Sequence, residues 1–320
     1  MKKIAVVRRL PPPVLDPIAK LGEVLLPPSA APLDKAGMTQ LMREADAALV
    51  ASVDPVDAGM LAACPKLKLI CNIGVGYDNV DMAAARSLGI TVTNTPGAMD
   101  DAVADLVFGT IIAVARRLPQ ADAFVRAGKW TGDNFDGVGL GMDVSHRTLG
   151  IIGFGRIGRA IARRATGFEM AVLYSNTRSV ARELEAGLRA EQTDLDRLLA
   201  ESDFVVVQVP YGPSTHHLIG GPELARMKAT AVLIHAGRGG VVDDAALATA
   251  LKSGAIAAAA VDCFENEPTV HPALLDCPNV LLTPHIGSAT PEARMNMVRM
   301  ALANLVAWLQ GGIPPHVVNG

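Results

Sequence analysis

The sequence predicts an α/β fold built on doubly wound parallel sheets. Short aliphatic runs recur along the chain, each followed by a turn signal and a helix-like segment, and one of them leads directly into a glycine-rich turn. Length sets the scale: 320 residues exceed one ordinary core and suit about two domains of roughly 100–200 residues each.

The runs are Ile4–Val7, Ala47–Val50, Leu67–Ile73, Leu149–Ile152, Ala171–Tyr174, Phe204–Val209, Ala231–Ile234, Ile256–Val261 and Val280–Leu282. They are continuous rather than alternating, as expected of strands whose two faces are both covered by helices. A long helix is expected from Asp100 or Asp101 through Val103, Leu106, Val107, Thr110, Ile111 and Val114 to Arg116–Arg117. Acids at its start and arginines at its end complement the helix dipole, and Pro119 follows. Gly128–Gly141 is polar and glycine-rich, too poor in apolar periodicity for a core. A second long helix spans Pro291–Leu309, apolar at Met295, Val298, Leu302, Leu305 and Leu309, and Gly311–Gly312 stop it.

Composition excludes several classes of function. Half the residues are hydrophobic and 19% are charged, which rules out a disordered chain. Only 4% are aromatic, so stacking platforms for single-stranded nucleic acid are not expected. The net charge of −3, without long blocks of either sign, argues against a polyanionic partner. Lys2 and Lys3 are followed by too short an apolar run for a signal peptide, and no stretch is long enough to span a membrane. Cys64, Cys71, Cys263 and Cys277 show no Cys-x-x-Cys spacing, and a reduced, cytoplasmic protein is expected.

The run at Leu149 enters Gly153-Phe154-Gly155-Arg156-Ile157-Gly158. Strand, Gly-x-Gly-x-x-Gly and helix stand in the order a dinucleotide site needs. Gly153 permits the tight turn, Gly155 lets backbone approach a pyrophosphate, Gly158 lets the helix pack on the strand, and the helix N-terminus attracts the anion. About 20 residues on, an acid would bind the ribose hydroxyls. Here the loop reads Ser175-Asn176-Thr177-Arg178, with no acid. Arg178, Ser175 and Asn176 suit a 2′-phosphate, so NADPH is expected in preference to NADH.

Three polar residues follow three successive apolar runs. Arg238 comes after Ile234-His235-Ala236-Gly237, Glu267 after Asp262-Cys263-Phe264, and His285 after Leu282-Thr283-Pro284. In an open parallel sheet the C-terminal strand ends share one edge, so the three converge where a nicotinamide would lie. Arg238 can bind the carboxylate and ketone of a 2-keto acid through its planar fork. His285 can donate a proton to the ketone oxygen, since imidazole ordinarily titrates near pH 6.5. Glu267, hydrogen-bonded to His285, would orient the ring and favour its charged form.

The chain resembles the D-isomer-specific 2-hydroxyacid dehydrogenase family, and within it the NADPH-dependent glyoxylate/hydroxypyruvate reductases. The motifs are Asn72-Ile-Gly-Val-Gly-Tyr-Asp-Asn-Val-Asp81, Thr93-Asn-Thr-Pro-Gly97, Asp101-Ala-Val-Ala-Asp105, the glycine turn, Gly237-Arg-Gly-Gly-Val-Val-Asp243, Asp262-Cys-Phe-Glu-Asn-Glu-Pro268 and Pro284-His-Ile-Gly-Ser-Ala-Thr290.

The resemblance implies a Rossmann cofactor domain at 100–285 and a discontinuous, flavodoxin-like substrate domain at 1–99 and 286–320, with the active site in the cleft. It implies that Arg238 binds substrate, Glu267 assists His285 and His285 donates the proton. Backbone amides around Val75 and Gly76 would hold the substrate carboxylate. Val209, Pro210 and Thr215 would line the cofactor, joined by Ala236, Gly237, Asp262, His285 and Gly287, with Asp262 meeting the carboxamide. The helix from Asp101 and the arm near Trp130 would build a homodimer, Trp130 anchoring the arm.

The sequence departs from the family at His235, often Asn, and at Cys263, usually Val. His216-His217 are expected to point apart and to serve a loop rather than a zinc site, and no resident metal is expected. The expected activity is NADPH-dependent reduction of glyoxylate or hydroxypyruvate to the D-2-hydroxy acid. The alternatives are an NADH-linked dehydrogenase for a bulkier substrate and a dinucleotide-sensing corepressor-like protein.

Overall fold

The computed structural model describes residues 1–132 and 135–319. The chain divides into two compact units, Met1–Met99 with Thr290–Gly320, and Asp100–Ala289.

The first unit holds five parallel strands, β1 (Lys3–Val6), β2 (Glu23–Leu25), β3 (Ala47–Ala51), β4 (Leu69–Ile73) and β5 (Thr91–Thr93), in the order β2-β1-β3-β4-β5. This is the flavodoxin-like order. Successive side chains of a strand face opposite sides. Ala5 and Val7 therefore join one core with Met38, Met42 and Met60, while Ile4 and Val6 join another with Leu15, Ile18 and Leu305. Both faces are dry, which is why Ile4–Val7 carries no polar alternation.

The helix Pro291–Leu309 has its expected bounds. Thr290 caps its start by accepting from the Ala293 N–H, and Gly311, at φ 83°, ends it. The Gly312 N–H returns to the Ala307 carbonyl, a 6→1 closure that needs the left-handed residue before it.

The second unit holds seven parallel strands, β6 (Thr148–Ile152), β7 (Ala171–Ser175), β8 (Ala190–Gln192), β9 (Phe204–Val207), β10 (Val232–His235), β11 (Ala258–Val261) and β12 (Val280–Leu282). Their order is β12-β11-β10-β9-β6-β7-β8. Strand order reverses between β6 and β9, the switch point where doubly wound sheets bind ligands. The helix Asp100–Ala115 packs on the helix Arg156–Thr166, with Arg164 reaching Asp101 and Asp105. The unit runs to Ala289 because the N–H groups of Ile286 and Gly287 are tied to Asp262.

Strands β2, β5 and β8 were not expected. All three are edge strands of three residues, and β2 and β8 are only half-buried, so little apolar signal marks them. The β5 edge is covered: Val317 bridges Thr93, the Val318 N–H reaches the Val92 carbonyl, and the Asn319 side chain joins Val92 and Ile90. Trp130 stands on the surface of its unit. It is 63% exposed and its Nε1 donates to the nearby Gly132 carbonyl. None of the four buried cysteines is in a disulfide. No helix among the described residues is long and apolar enough to cross a membrane.

Asn304 is fully buried in an otherwise apolar helix face; its amide donates to the Asn94 carbonyl and its oxygen accepts from the His316 N–H. Asn304→Ala leaves both backbone groups without partners and should lower stability by about 1–3 kcal/mol. Urea unfolding followed by circular dichroism measures this, and an unshifted first transition would refute the role.

Candidate active site

Strand β6 enters the glycine turn at the switch point. Gly153 has φ 99°, and a Cβ there would stand 2.5 Å from the Gln208 carbonyl oxygen. A Cβ on Gly158 would overlap the Gly153 carbonyl oxygen. At Gly155, by contrast, a Cβ would meet nothing within 4 Å. Gly155 is also the N-cap of the helix Arg156–Thr166 and supplies no capping side chain. The first turn thus has no side-chain cap, and the space beside Gly155 is open, as a pyrophosphate at a helix N-terminus requires.

The side chains around the turn fall into two groups. Phe154 is buried and stacked on Tyr174, ring centroids 4.1 Å apart, so the turn offers backbone at that position; Arg156 is exposed and Ile157 half-buried. Ser175 closes β7 beside the turn, its carbonyl accepting from the Gly153 N–H at 2.9 Å. The Asn176 amide donates to the Arg178 carbonyl at 2.8 Å, which folds the loop and leaves the Arg178 side chain exposed. On the other side of the turn, Val209 would touch a Cβ built on Gly153. Thr215 donates to the carbonyls of Pro210 and Gly212, fixing the segment after β9.

Strands β10, β11 and β12 deliver the three expected polar residues to the same edge. Arg238 follows Ala236 and Gly237 after β10, and its Nη1 donates to the Gly237 carbonyl at 2.9 Å. Next to it, Gly239 lies against the Phe264 carbonyl so closely that no side chain fits. This contact presses the Arg238 loop onto the segment that carries Glu267.

Glu267 accepts from the Phe264 N–H at 3.0 Å through Oε1 and meets His285 Nδ1 at 2.8 Å through Oε2. Partial burial pushes its carboxyl up. The hydrogen bonds from His285 and Phe264, with the charges of His285 and Arg238, outweigh burial and hold it below the usual 4.5.

His285 has φ 52°, a left-handed conformation unusual for a residue with a side chain. Asp262 explains how it is held. This buried carboxylate accepts from the Thr283 hydroxyl at 2.6 Å and the Ile286 N–H at 2.8 Å through Oδ1, and from the Gly287 N–H at 2.9 Å through Oδ2. The loop is clamped on both sides of His285. Sequence reasoning gave Asp262 to the cofactor and missed this clamp, although an acid at the end of an apolar run is the signal for it.

His235, the last residue of β10, is fully buried, and burial pushes its imidazole down to about 4, so it is neutral at physiological pH. Contrary to expectation, His216 and His217 do not point apart. Their rings stack with centroids 3.9 Å apart, and His217 Nε2 lies 3.1 Å from Glu265.

In the first unit, Val75 and Gly76 follow β4. The Asn94 amide donates to the Val75 carbonyl at 2.8 Å and the Asn72 amide to the Gly76 carbonyl at 2.6 Å. Asn79 in turn holds Asn72. With both carbonyls taken, the orientation of the loop is fixed. These asparagines lie within or beside recognisable motifs, but their orienting role was not anticipated.

Comparison with known proteins agrees with this geometry. The family model described as "D-isomer specific 2-hydroxyacid dehydrogenase, NAD binding domain" matches residues 108–287. The chain is 46% identical over 326 residues to the glyoxylate reductase of Thermococcus litoralis, covering 99% of this chain and 96% of that protein. Among solved structures, a glyoxylate reductase from Paecilomyes thermophila superposes with a TM-score of 0.90 at 32% identity, covering 99% and 98% of the two chains. An NADPH-dependent glyoxylate/hydroxypyruvate reductase from Sinorhizobium meliloti, in complex with NADP and malonate, gives 0.85 at 35% identity, covering 99% and 96%. The glycine turn at a sheet switch point, the Arg, Glu and His behind successive strands, and these full-length likenesses have one common explanation: the chain belongs to the D-isomer-specific 2-hydroxyacid dehydrogenases, enzymes that use a nicotinamide dinucleotide.

Proposed function

We propose that this enzyme reduces glyoxylate and hydroxypyruvate to the 2-hydroxy acids, with NADPH preferred and NADH a weaker alternative. The carrying observation is the His285–Glu267 pair at 2.8 Å, beside an arginine and at the glycine-turn edge of one sheet. The relatives named as glyoxylate reductases support the substrate class.

In the second unit, Arg238 binds the carboxylate and ketone oxygen and polarises the carbonyl; in the first, the N–H groups of Val75 and Gly76 are donors suited to a carboxylate. The bound reduced nicotinamide supplies a hydride to the keto carbon. His285 gives its proton to the developing alkoxide, and Glu267 holds the imidazolium and its orientation. The Asp262 clamp fixes the loop that carries His285, and Asp262 keeps acceptor capacity for a carboxamide. The open face of Gly155 takes the pyrophosphate, flanked by Phe154, Arg156, Ile157, Val209 and Pro210. Ser175, Asn176 and Arg178 take a 2′-phosphate, with no acid among residues 175–180 to repel it. Two chains pair through the helix Asp100–Ala115 and the arm around Trp130, where Leu118, Val125 and Leu140 are also exposed.

His285→Ala should lower kcat for glyoxylate reduction by about 10²–10⁴-fold and leave NADPH binding, followed by fluorescence titration, nearly unchanged. Retained turnover would remove His285 as the donor.

Arg178→Ala should raise KM for NADPH by about 10–100-fold, the worth of one or two charge-assisted hydrogen bonds, and leave KM for NADH close to its original value. An equal rise with both cofactors would contradict the 2′-phosphate assignment.

Because Glu267 is held below the usual 4.5, it stays ionised from neutral to mildly acid pH. The stabilisation it gives the pair is present above that value and is lost as pH falls through its lowered pKa. Glu267→Gln removes the charge with little change of shape. It should move the alkaline limb of the kcat profile for reduction to lower pH, because the imidazolium loses its counter-charge. An unmoved limb would mean that Glu267 only orients the ring.

A further inference from the structure

We propose that Cys263, Glu267 and His285 form an inhibitory site for a thiophilic divalent cation, zinc being the physiological candidate. The Cys263 sulfur, a carboxylate oxygen of Glu267 and a ring nitrogen of His285 all lie within 4.8 Å of one another. The Asp262 clamp and the Phe264 N–H fix the segments carrying His285 and Glu267. Cys263 is itself buried, with Sγ 3.4 Å from the Gly237 carbonyl, so its position is set by the strand end rather than by a mobile loop. The other two side chains are about one-third exposed, 39% for His285 and 34% for Glu267, which gives an ion a route in from solvent.

The donor set is the argument for the ion. One sulfur, one imidazole nitrogen and one carboxylate oxygen match zinc in softness and number, with a fourth position left for water. Zinc bonds of about 2.0–2.3 Å require donor separations of about 3.3–3.8 Å in a tetrahedron, so the three side chains need shift by only about 1 Å. Binding replaces the thiol proton with a sulfur–zinc bond and takes the ring nitrogen's lone pair, with release of the displaced protons and no change of oxidation state. A zinc-bound His285 is no longer a proton donor and Glu267 no longer its partner, so reduction stops until the ion is chelated.

A second cluster, His216, His217 and Glu265, also lies within 4.8 Å. It lacks sulfur, and its two rings stack at an interplanar angle of 24°, so their in-plane lone pairs run side by side instead of converging on one ion. Cys263 is therefore the donor that distinguishes this cluster from the other.

The test uses the full chain in two arms. In the first, cobalt(II) chloride is titrated into the protein and its Cys263→Val and Cys263→Ala variants, and sulfur-to-cobalt charge-transfer absorption is recorded. The wild type should show the band and both variants should lose it; a band that persists in the variants, or is absent from the wild type, overturns the site. In the second arm, which rests on the reductase assignment, zinc chloride is added during NADPH oxidation with glyoxylate. Turnover without metal should be unchanged by Cys263→Val. The zinc concentration for half inhibition should rise at least about tenfold, since even partners outside the ligand shell are worth about 10–100-fold in affinity. Equal zinc sensitivity in Cys263→Val, or relief by His216→Ala instead, refutes the proposal. The cobalt arm stands alone if glyoxylate proves not to be a substrate.

Discussion

The Asp262 carboxylate is the interaction on which the catalytic arrangement depends. It sits at the end of a buried strand, where a charge is costly unless its oxygens are satisfied. Here three donors satisfy it: the Thr283 hydroxyl and the N–H groups of Ile286 and Gly287. All three belong to the short segment that carries His285. Desolvation of the acid is thereby converted into a fixed loop, and the left-handed conformation of His285 is held from both sides. Such a conformation costs on the order of 1–3 kcal/mol and persists only where the surroundings over-determine it. The ring then arrives at Glu267 already oriented.

The sheet supplies the rest of the convergence. Parallel pairing of β9, β10, β11 and β12 in register brings their C-terminal ends to one edge, and the ends of β10, β11 and β12 each lead to one of the three polar residues. The glycine turn leaves β6 at the same edge, next to β9, where the strand order reverses. The glycine turn and the His285–Glu267 pair are therefore placed by the same hydrogen-bond ladder. Glycine enters where backbones must touch: Gly153 against Gln208, and Gly239 against Phe264. Both are contacts between loops of neighbouring strands, so the catalytic edge is packed main chain on main chain with little slack.

Much of this was legible because it is written in strong local signals. Nine of the strands announce themselves as mainly apolar runs, interrupted in places as by Lys68 and Asn72 around β4, since burial on both faces leaves little room for alternation. Arg238, Glu267 and His285 could be found because each is a polar residue immediately behind such a run. The edge strands β2, β5 and β8 were illegible because three residues each are too few to form an apolar run. The clamp at Asp262 and the amides of Asn72 and Asn94 were hidden differently. Apart from the Thr283 hydroxyl, their partners named here are backbone groups, which have no letter in the sequence, so the roles appear only once the chain is folded. The stacking of His216 on His217 shows the limit of reasoning from adjacency, because His217 takes a left-handed φ of 49° that turns the neighbouring side chains to one side.

The charges at the edge also explain why the pair is half-exposed when so much around it is buried. Reduction consumes a proton in each turnover, and an imidazolium sealed from solvent would act once. His285 and Glu267 keep about one-third of their side-chain surface in contact with solvent, enough for the ring to be recharged. Behind them, His235 is held neutral by burial, so it adds no second positive charge to compete for Glu267. The charges that hold the Glu267 carboxyl low come from His285 and Arg238. In the proposed reduction, the negative Glu267 would stay beside the ring after the proton is given up and favour its replacement. The same exposure that permits this recharging admits other cations, and a thiol beside the pair determines which of them would stay.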